Sequence, residues 1–364
     1  MGDVHSELAH SFVPKENSPS PQLRTEDPSR ANAWMKLDES GEVFFLRRLS
    51  MDHIKRKMKL FSRFTVEHPR FKHAVEGILE SINDTNEMED PASAMLLGPP
   101  GTGKSSICRR IEGLLGPPRE EVRKDCKIKI IPCVYFRVPE NGTVNSFLLQ
   151  VLLQLDSRCT AHDAATMMHS IITQLKTCET IMCIVDEIQH LSEKGASKTQ
   201  ARMCNCIKTL LNETRIPFLA AGTPKFEAIF DDNSQLAQRY PVRFRLENFD
   251  YDYSEDTQKS EWRLVLAKFG SEMIRIGELT EYVYLSDEYF SKAIYIFTGG
   301  NMRGLRLLLH YVLKRSLVRG DHVLTKLDFE RIADKIQFHG RIEPNINPFR
   351  CDNQMLDTIL SKRV

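Results

Sequence analysis

Two short stretches carry residues whose types and order can act on a phosphate chain. The first is Gly98-Pro99-Pro100-Gly101-Thr102-Gly103-Lys104-Ser105, which matches G-x-x-x-x-G-K-S. Its glycines let backbone N–H groups turn inward around an anion with no Cβ in the way. Lys104 can reach the outer phosphates, and the Ser105 hydroxyl is placed to ligate Mg²⁺. From Ser106 onward the chain reads as a helix whose N-terminal dipole faces the same charges. The second stretch is Asp186-Glu187, which ends the apolar run 181–185. A carboxylate at Asp186 suits the Mg²⁺ shell. One at Glu187 suits the water that attacks a γ-phosphate. Together they predict a site for ATP and Mg²⁺.

The elements around these residues alternate as an α/β fold requires. Residues 95–97 form a short apolar strand into the loop, and 181–185 is a continuous apolar run suited to a parallel strand buried on both faces. Its carboxylates then fall at the C-terminal sheet edge, where α/β ligand sites form. Residues 128–138 read as one strand with an irregular start at Pro132. Helices are expected after Pro69, where Phe71, Ala74, Val75, Ile78, Leu79 and Ile82 trace one face, and over 147–155, 167–175 and 198–212. Residues 216–222 form another buried strand ending at Thr223, which either senses the γ-phosphate or lytic water or simply caps the next helix. Residues 235–246 offer Arg239, Arg243 and Arg245 around a β-like alternation. In a ring-forming ATPase, Arg239 first and Arg243 second are the candidates to enter a neighbouring subunit's nucleotide site. The alternative is that all three make only salt bridges.

Beyond an acidic link at 250–256 the pattern is helical, over 262–276, 287–297, 303–317 and 327–336. Thr298-Gly299-Gly300-Asn301-Met302-Arg303 separates two of these helices. Arg303 either folds back onto the nucleotide from a helical lid or is a solvated arginine after a Gly turn. The domains are thus a mobile arm over 1–33, an ATPase core over 34–250 with a basic helix at its start, a lid over 251–338 and a tail over 339–364. That tail is rich in Pro and Asn near its start and reads as a docking segment or a loose end.

Composition sets the class. Hydrophobic residues make up 41% and charged residues 27% of the 364, as in ordinary globular chains. No apolar run approaches the roughly 20 residues that span a bilayer, so no membrane association is expected. The N-terminus lacks the apolar core of a secretory signal, and the nine cysteines show no C-x-x-C spacing. A reduced, cytoplasmic protein is expected. The net charge of +1 excludes a strong whole-protein field, so any nucleic-acid contact must be local. One local patch is 47–63, where Ile54, Met58 and Phe61 mark the apolar stripe of a basic amphipathic helix. Its basic face either meets nucleic acid or an acidic partner, or is solvated.

The order of parts resembles that of the AAA+ ATPases, notably the initiator-like and clamp-loader-like branch, over roughly residues 60–338. Within that branch, Asp186-Glu187-Ile188-Gln189-His190-Leu191, Ala221-Gly222-Thr223-Pro224 and the helix over 262–273 are similar to the TnsC/TniB transposition regulators. The resemblance implies an AAA+ core with a parallel sheet and a small helical lid. It also implies ATP-bound rings or helical filaments around duplex DNA that link a target-selecting protein to transposase subunits, with hydrolysis redistributing them. Carried over, Gly101, Gly103, Lys104 and Ser105 hold ATP and Mg²⁺, with Asp186 and Glu187 supporting metal binding and hydrolysis. Thr223 is the first sensor, Arg239 or Arg243 the inter-subunit arginine and Arg303 the lid sensor. DNA contacts on a ring's inner face point to Lys127, Lys129 and Arg137 and to Lys194, Lys198 and Arg202, each to phosphate backbone, or else to a set of solvated cations. A signalling ATPase that switches a protein partner without DNA is the competing reading. A small-molecule kinase is disfavoured by the Asp-Glu pair, the arginine segment and the lid.

Overall fold

The computed structural model describes residues 51–88, 92–123, 126–140, 143–157, 159, 162–191, 197–252 and 260–362. Five parallel strands form the central sheet: β1 (Ala94–Leu97), β4 (Cys133–Arg137), β5 (Met182–Asp186), β6 (Phe218–Gly222) and β7 (Val242–Arg245), in the order β4-β5-β6-β1-β7. The strand that feeds the phosphate loop is therefore separated by β6 from the strand that ends in Asp186.

Alternation along each strand explains why the runs are apolar throughout. Leu96, Ile184, Leu219 and Ala221 face one side, where they pack with Phe71, Ile78, Ile107 and Ile111 of α2 (Pro69–Met88) and α3 (Lys104–Leu115). Met95, Val134, Phe136, Cys183, Val185 and Ala220 face the other. There they meet α4 (Val144–Gln154), α5 (Ala164–Thr177) and α6 (Ser197–Thr214). Polar strand-end residues inherit this alternation, which aims Tyr135, Arg137 and Asp186 toward the side of α3.

Three expectations are revised. Residues 128–138 are not one strand. Pro132 lacks an N–H to extend a ladder and breaks them into β3 (Cys126–Ile130) and β4. β3 pairs antiparallel with β2 (Arg119–Arg123) in a separate two-stranded ribbon. The freed Pro132 carbonyl accepts from Ile181 N–H at 2.8 Å. Second, the basic helix α1 (Met51–Arg63) packs with the lid. Ile54, Met58 and Phe61 share a core with α9 (Glu261–Gly277), α10 (Glu288–Thr298), α11 (Met302–Arg319) and α12 (Lys326–Lys335). Its Lys57 is buried and paired with Glu278 at 2.9 Å, so only part of the basic face is open to solvent. Third, the segment after Phe338 is not loose. The 3-10 turn Pro348–Arg350 and α13 (Asn353–Ser361) bury Phe349, Leu356, Ile359 and Leu360 in the same lid core. Lys292 on α10 fastens α13 through Asp357 at 2.6 Å.

Candidate active site

The phosphate loop leaves β1 at the C-terminal edge of the sheet. Gly98 N–H donates to Gly222 O at 3.1 Å, which seats the loop against the end of β6. Gly101 (φ 86°) and Gly103 (φ 107°) are both left-handed. At Gly101 a Cβ would also stand 2.7 Å from Asn301 Oδ1 and 2.8 Å from Arg303 Cβ, so glycine is required for space as well as conformation. Lys104 opens α3 and is buried. Its Nζ donates to Gly98 O at 2.7 Å and Pro99 O at 2.9 Å. Burial pushes its pKa down, opposed by the nearby Glu187 and Asp186 charges. Thr102 ties the loop to itself through Pro99 O at 3.0 Å.

Asp186, only 1% exposed, is held at the end of β5 by three donors. Tyr135 OH donates at 2.9 Å, Glu187 N–H at 2.9 Å and Arg137 Nε stands 3.5 Å away. Burial and the adjoining Asp186 charge push the Tyr135 phenol up to about 12, so it stays a donor at neutral pH. Glu187 is left-handed (φ 57°) and lines the cavity with the phosphate loop. Thr223 lines it too, and its hydroxyl makes no capping bond to the 3-10 turn Pro224–Phe226 that follows. The hydroxyl is thus not taken up in capping.

The lid closes over the loop through its backbone. Arg303 N–H donates to Gly101 O at 2.9 Å, and Asn301 Nδ2 donates to Pro100 O at 3.0 Å and Asn248 Oδ1 at 2.9 Å. Between loop and lid lies a cavity of about 630 Å³. Residues 100–106, Arg137, Glu187, Thr223 and Arg303 line it, together with Phe61, Val66, Phe71, Met302 and Leu307. A lining that mixes phosphate-loop and charged groups with apolar side chains suits an anionic chain attached to an apolar group. Ser105 and Asp186 offer hard oxygen donors for Mg²⁺. No group of three or more His, Cys, Asp or Glu that could hold a metal ion occurs among the described residues.

Most of the remaining predicted residues that the structure describes do not line this cavity. Arg243 pairs with Asp231 at 2.6 Å and with Glu227 at 3.1 Å, and Arg245 joins Glu227 at 2.7 Å. Arg239 donates to Gln235 O at 2.9 Å. None of the three lines this chain's own cavity. Lys127 and Lys129 lie exposed on the β2–β3 ribbon, Lys129 paired with Asp156 at 3.0 Å. Arg137 sits at the cavity, Arg202 is exposed on α6, Lys198 is on the same helix and Lys194 lies outside the described residues. Sequence reasoning missed Tyr135, Asn301 and Gln189 as site residues. A tyrosine two places before a strand-end arginine, or an Asn after Gly-Gly, has meaning only once β4 and β5 pair and the lid folds back.

A loop strand separated by one strand from an acidic strand, with a helical lid on the loop, defines an AAA+ P-loop ATPase. The same fold is seen in the Aeropyrum pernix Orc1 protein in complex with DNA (TM-score 0.55, 13% identity, covering 78% of this chain and 70% of that one). Pyrobaculum aerophilum Cdc6p gives TM-score 0.54 at 15% identity, over 77% and 71%. The Aeropyrum pernix Orc2 protein, solved as ADPNP–ADP complexes, gives 0.51 at 11%, over 75% and 68%. No curated protein gives a significant sequence match. The family described as bacterial TniB protein matches residues 56–251, and the chain belongs to that TniB family.

Proposed function

We propose that this protein binds and hydrolyses ATP with Mg²⁺, assembles with copies of itself on duplex DNA, and regulates DNA transposition by linking a target selector to a transposase. The observation that carries the reading is the convergence of Lys104, Ser105, Glu187, Thr223 and Arg303 on one cavity, with Asp186 directly behind it. A triphosphate draws Lys104 Nζ off the loop carbonyls, and the loop N–H groups and the α3 N-terminus take the remaining charge. Ser105 and Asp186 would hold Mg²⁺, which supplies charge neutralisation on the phosphates. Glu187 accepts a proton from water as its oxygen bonds to the γ-phosphorus. The bond to the bridging oxygen breaks, and its electron pair leaves on ADP. Thr223 and Arg303 contact the γ-phosphate, and Arg239 of one subunit reaches the next subunit's site.

Support for the DNA side comes from the TniB family match and the likeness to an Orc1 protein solved with DNA. Phosphate release tests the whole reading, measured with and without duplex DNA for wild type, Lys104→Ala and Glu187→Gln. DNA-stimulated hydrolysis lost in both variants supports it. Hydrolysis indifferent to DNA but responsive to a protein partner would favour a signalling ATPase.

A further inference from the structure

Glu187 does not stand alone in the cavity wall. The 3-10 turn Ile188–Leu191 brings Gln189 back beneath it, where the residue is buried, with a relative exposure of 8%. Gln189 Nε2 donates to Glu187 Oε2, and Gln189 Oε1 accepts from Thr223 N–H at 3.2 Å. One amide thus spans the ends of β5 and β6. Its polarity is fixed, because a reversed amide would set oxygen against carboxylate and NH₂ against N–H. Gly222 makes the room. A Cβ there would stand 2.8 Å from Gln189 Oε1 and 2.8 Å from Ile188 Cγ2. Gly222 does not have positive φ, so the demand is for space alone.

We propose that Gln189 is the positioning residue of the hydrolytic step: it fixes the Glu187 carboxylate toward the attacking water and ties that orientation to the Thr223 end of β6. The inference rests on Glu187 being the group that activates water. By occupying Oε2, Gln189 leaves Oε1 as the oxygen that accepts from the water. Because the same amide is held by Thr223 N–H, a shift of that strand end moves the carboxylate with it. Gln189 itself does not line the cavity, so it acts through Glu187 and not on the phosphates.

The test uses the full-length chain with Gln189→Met, which keeps side-chain length and apolar bulk but removes both hydrogen bonds, and Gly222→Ala, which displaces the amide by contact alone. Nucleotide affinity is read with a fluorescent ATP analogue and turnover by phosphate release. Both variants are expected to bind within about twofold of wild type. Turnover is expected to fall by about ten- to a hundredfold, at or below the roughly 10²–10⁴-fold contribution of a general base, as for a residue that positions the base. In a Glu187→Gln background neither is expected to lower the residual rate further, since residues that act as a unit are non-additive. Full turnover in both variants, or equal losses in the presence and absence of Glu187, overturns the proposal. If wild type hydrolyses no ATP, the functional reading fails first. If wild type turns over, Glu187→Gln does not and Gln189→Met does, only this inference fails. Should Gln189→Met be unstable, Gly222→Ala alone still decides.

Discussion

Asn301 offers the sharpest test of how lid and loop are coupled. Its Oδ1 caps α11 by accepting from Arg303 N–H at 3.1 Å and Gly304 N–H at 3.2 Å, and its Nδ2 donates to Pro100 O and Asn248 Oδ1. Loss of the cap costs about 1 kcal/mol. Loss of the two Nδ2 bonds costs about 0.5–1.5 kcal/mol each. Asn301→Ala therefore removes roughly 2–4 kcal/mol of lid stability and loop contact. The loop share, the single bond to Pro100 O at about 0.5–1.5 kcal/mol, corresponds to roughly a two- to thirteenfold weaker nucleotide. Asn301→Ser separates the two effects, because serine retains a capping oxygen but cannot reach Pro100. Denaturant unfolding should place Ser below wild type and Ala lower still by about the 1 kcal/mol of the cap, while titration with a fluorescent nucleotide should show both variants weakened. Wild-type affinity in both would refute the latch. Weakening in Ala alone would assign the effect to the helix cap.

Glu261 joins His68 Nδ1 at 2.7 Å and Arg70 Nε at 2.5 Å across the junction of α2 and α9. Burial pushes its pKa up, but the bonds from His68 and the Arg70 N–H, with the Arg70 charge, outweigh it and hold the carboxyl below its usual range. Its stabilisation is present above the unfolded value of about 4.3 and is lost as pH falls through the lowered folded value. Glu261→Gln should lose about 2–3 kcal/mol at pH 7. Unfolding curves of variant and wild type should converge in acid, and a gap constant with pH would count against the pair. Phe349→Ala, at a fully buried position against Phe297 and Phe329, should cost about 3–5 kcal/mol in denaturant unfolding; an unchanged midpoint would mean the terminal segment is not part of the lid core. Arg239→Ala should leave nucleotide binding intact and remove hydrolysis only in the assembled state. Arg243→Ala, which strips partners from Asp231 and Glu227, should instead lower stability. The reverse pattern would exchange their roles.

The phosphate loop and Asp186-Glu187 were legible because each is a local motif whose chemistry depends on neighbours in sequence. The buried strands were legible from continuous apolar runs, and the lid helices from their periodicity. The pairing of β2 with β3 was not, because exposed residues such as Arg119, Glu120 and Arg123 carry no alternation of burial. The placement of α1 with the lid was hidden because an apolar stripe states that a helix packs, not on what. The burial of Phe349 was obscured by the Pro and Asn around it, which broke the helical pattern without implying exposure. Gln189 stood inside a motif, yet its contact to Thr223 depends on two strand ends brought together by the sheet.

The central claim is that nucleotide in this cavity drives assembly on DNA. Particle size by electron microscopy, with and without a slowly hydrolysed ATP analogue and duplex DNA, tests it most directly. Rings or filaments should form with wild type only when both are present, and Lys104→Ala should stay unassembled. A wild-type monomer under all four conditions, with nucleotide binding intact, would contradict the claim.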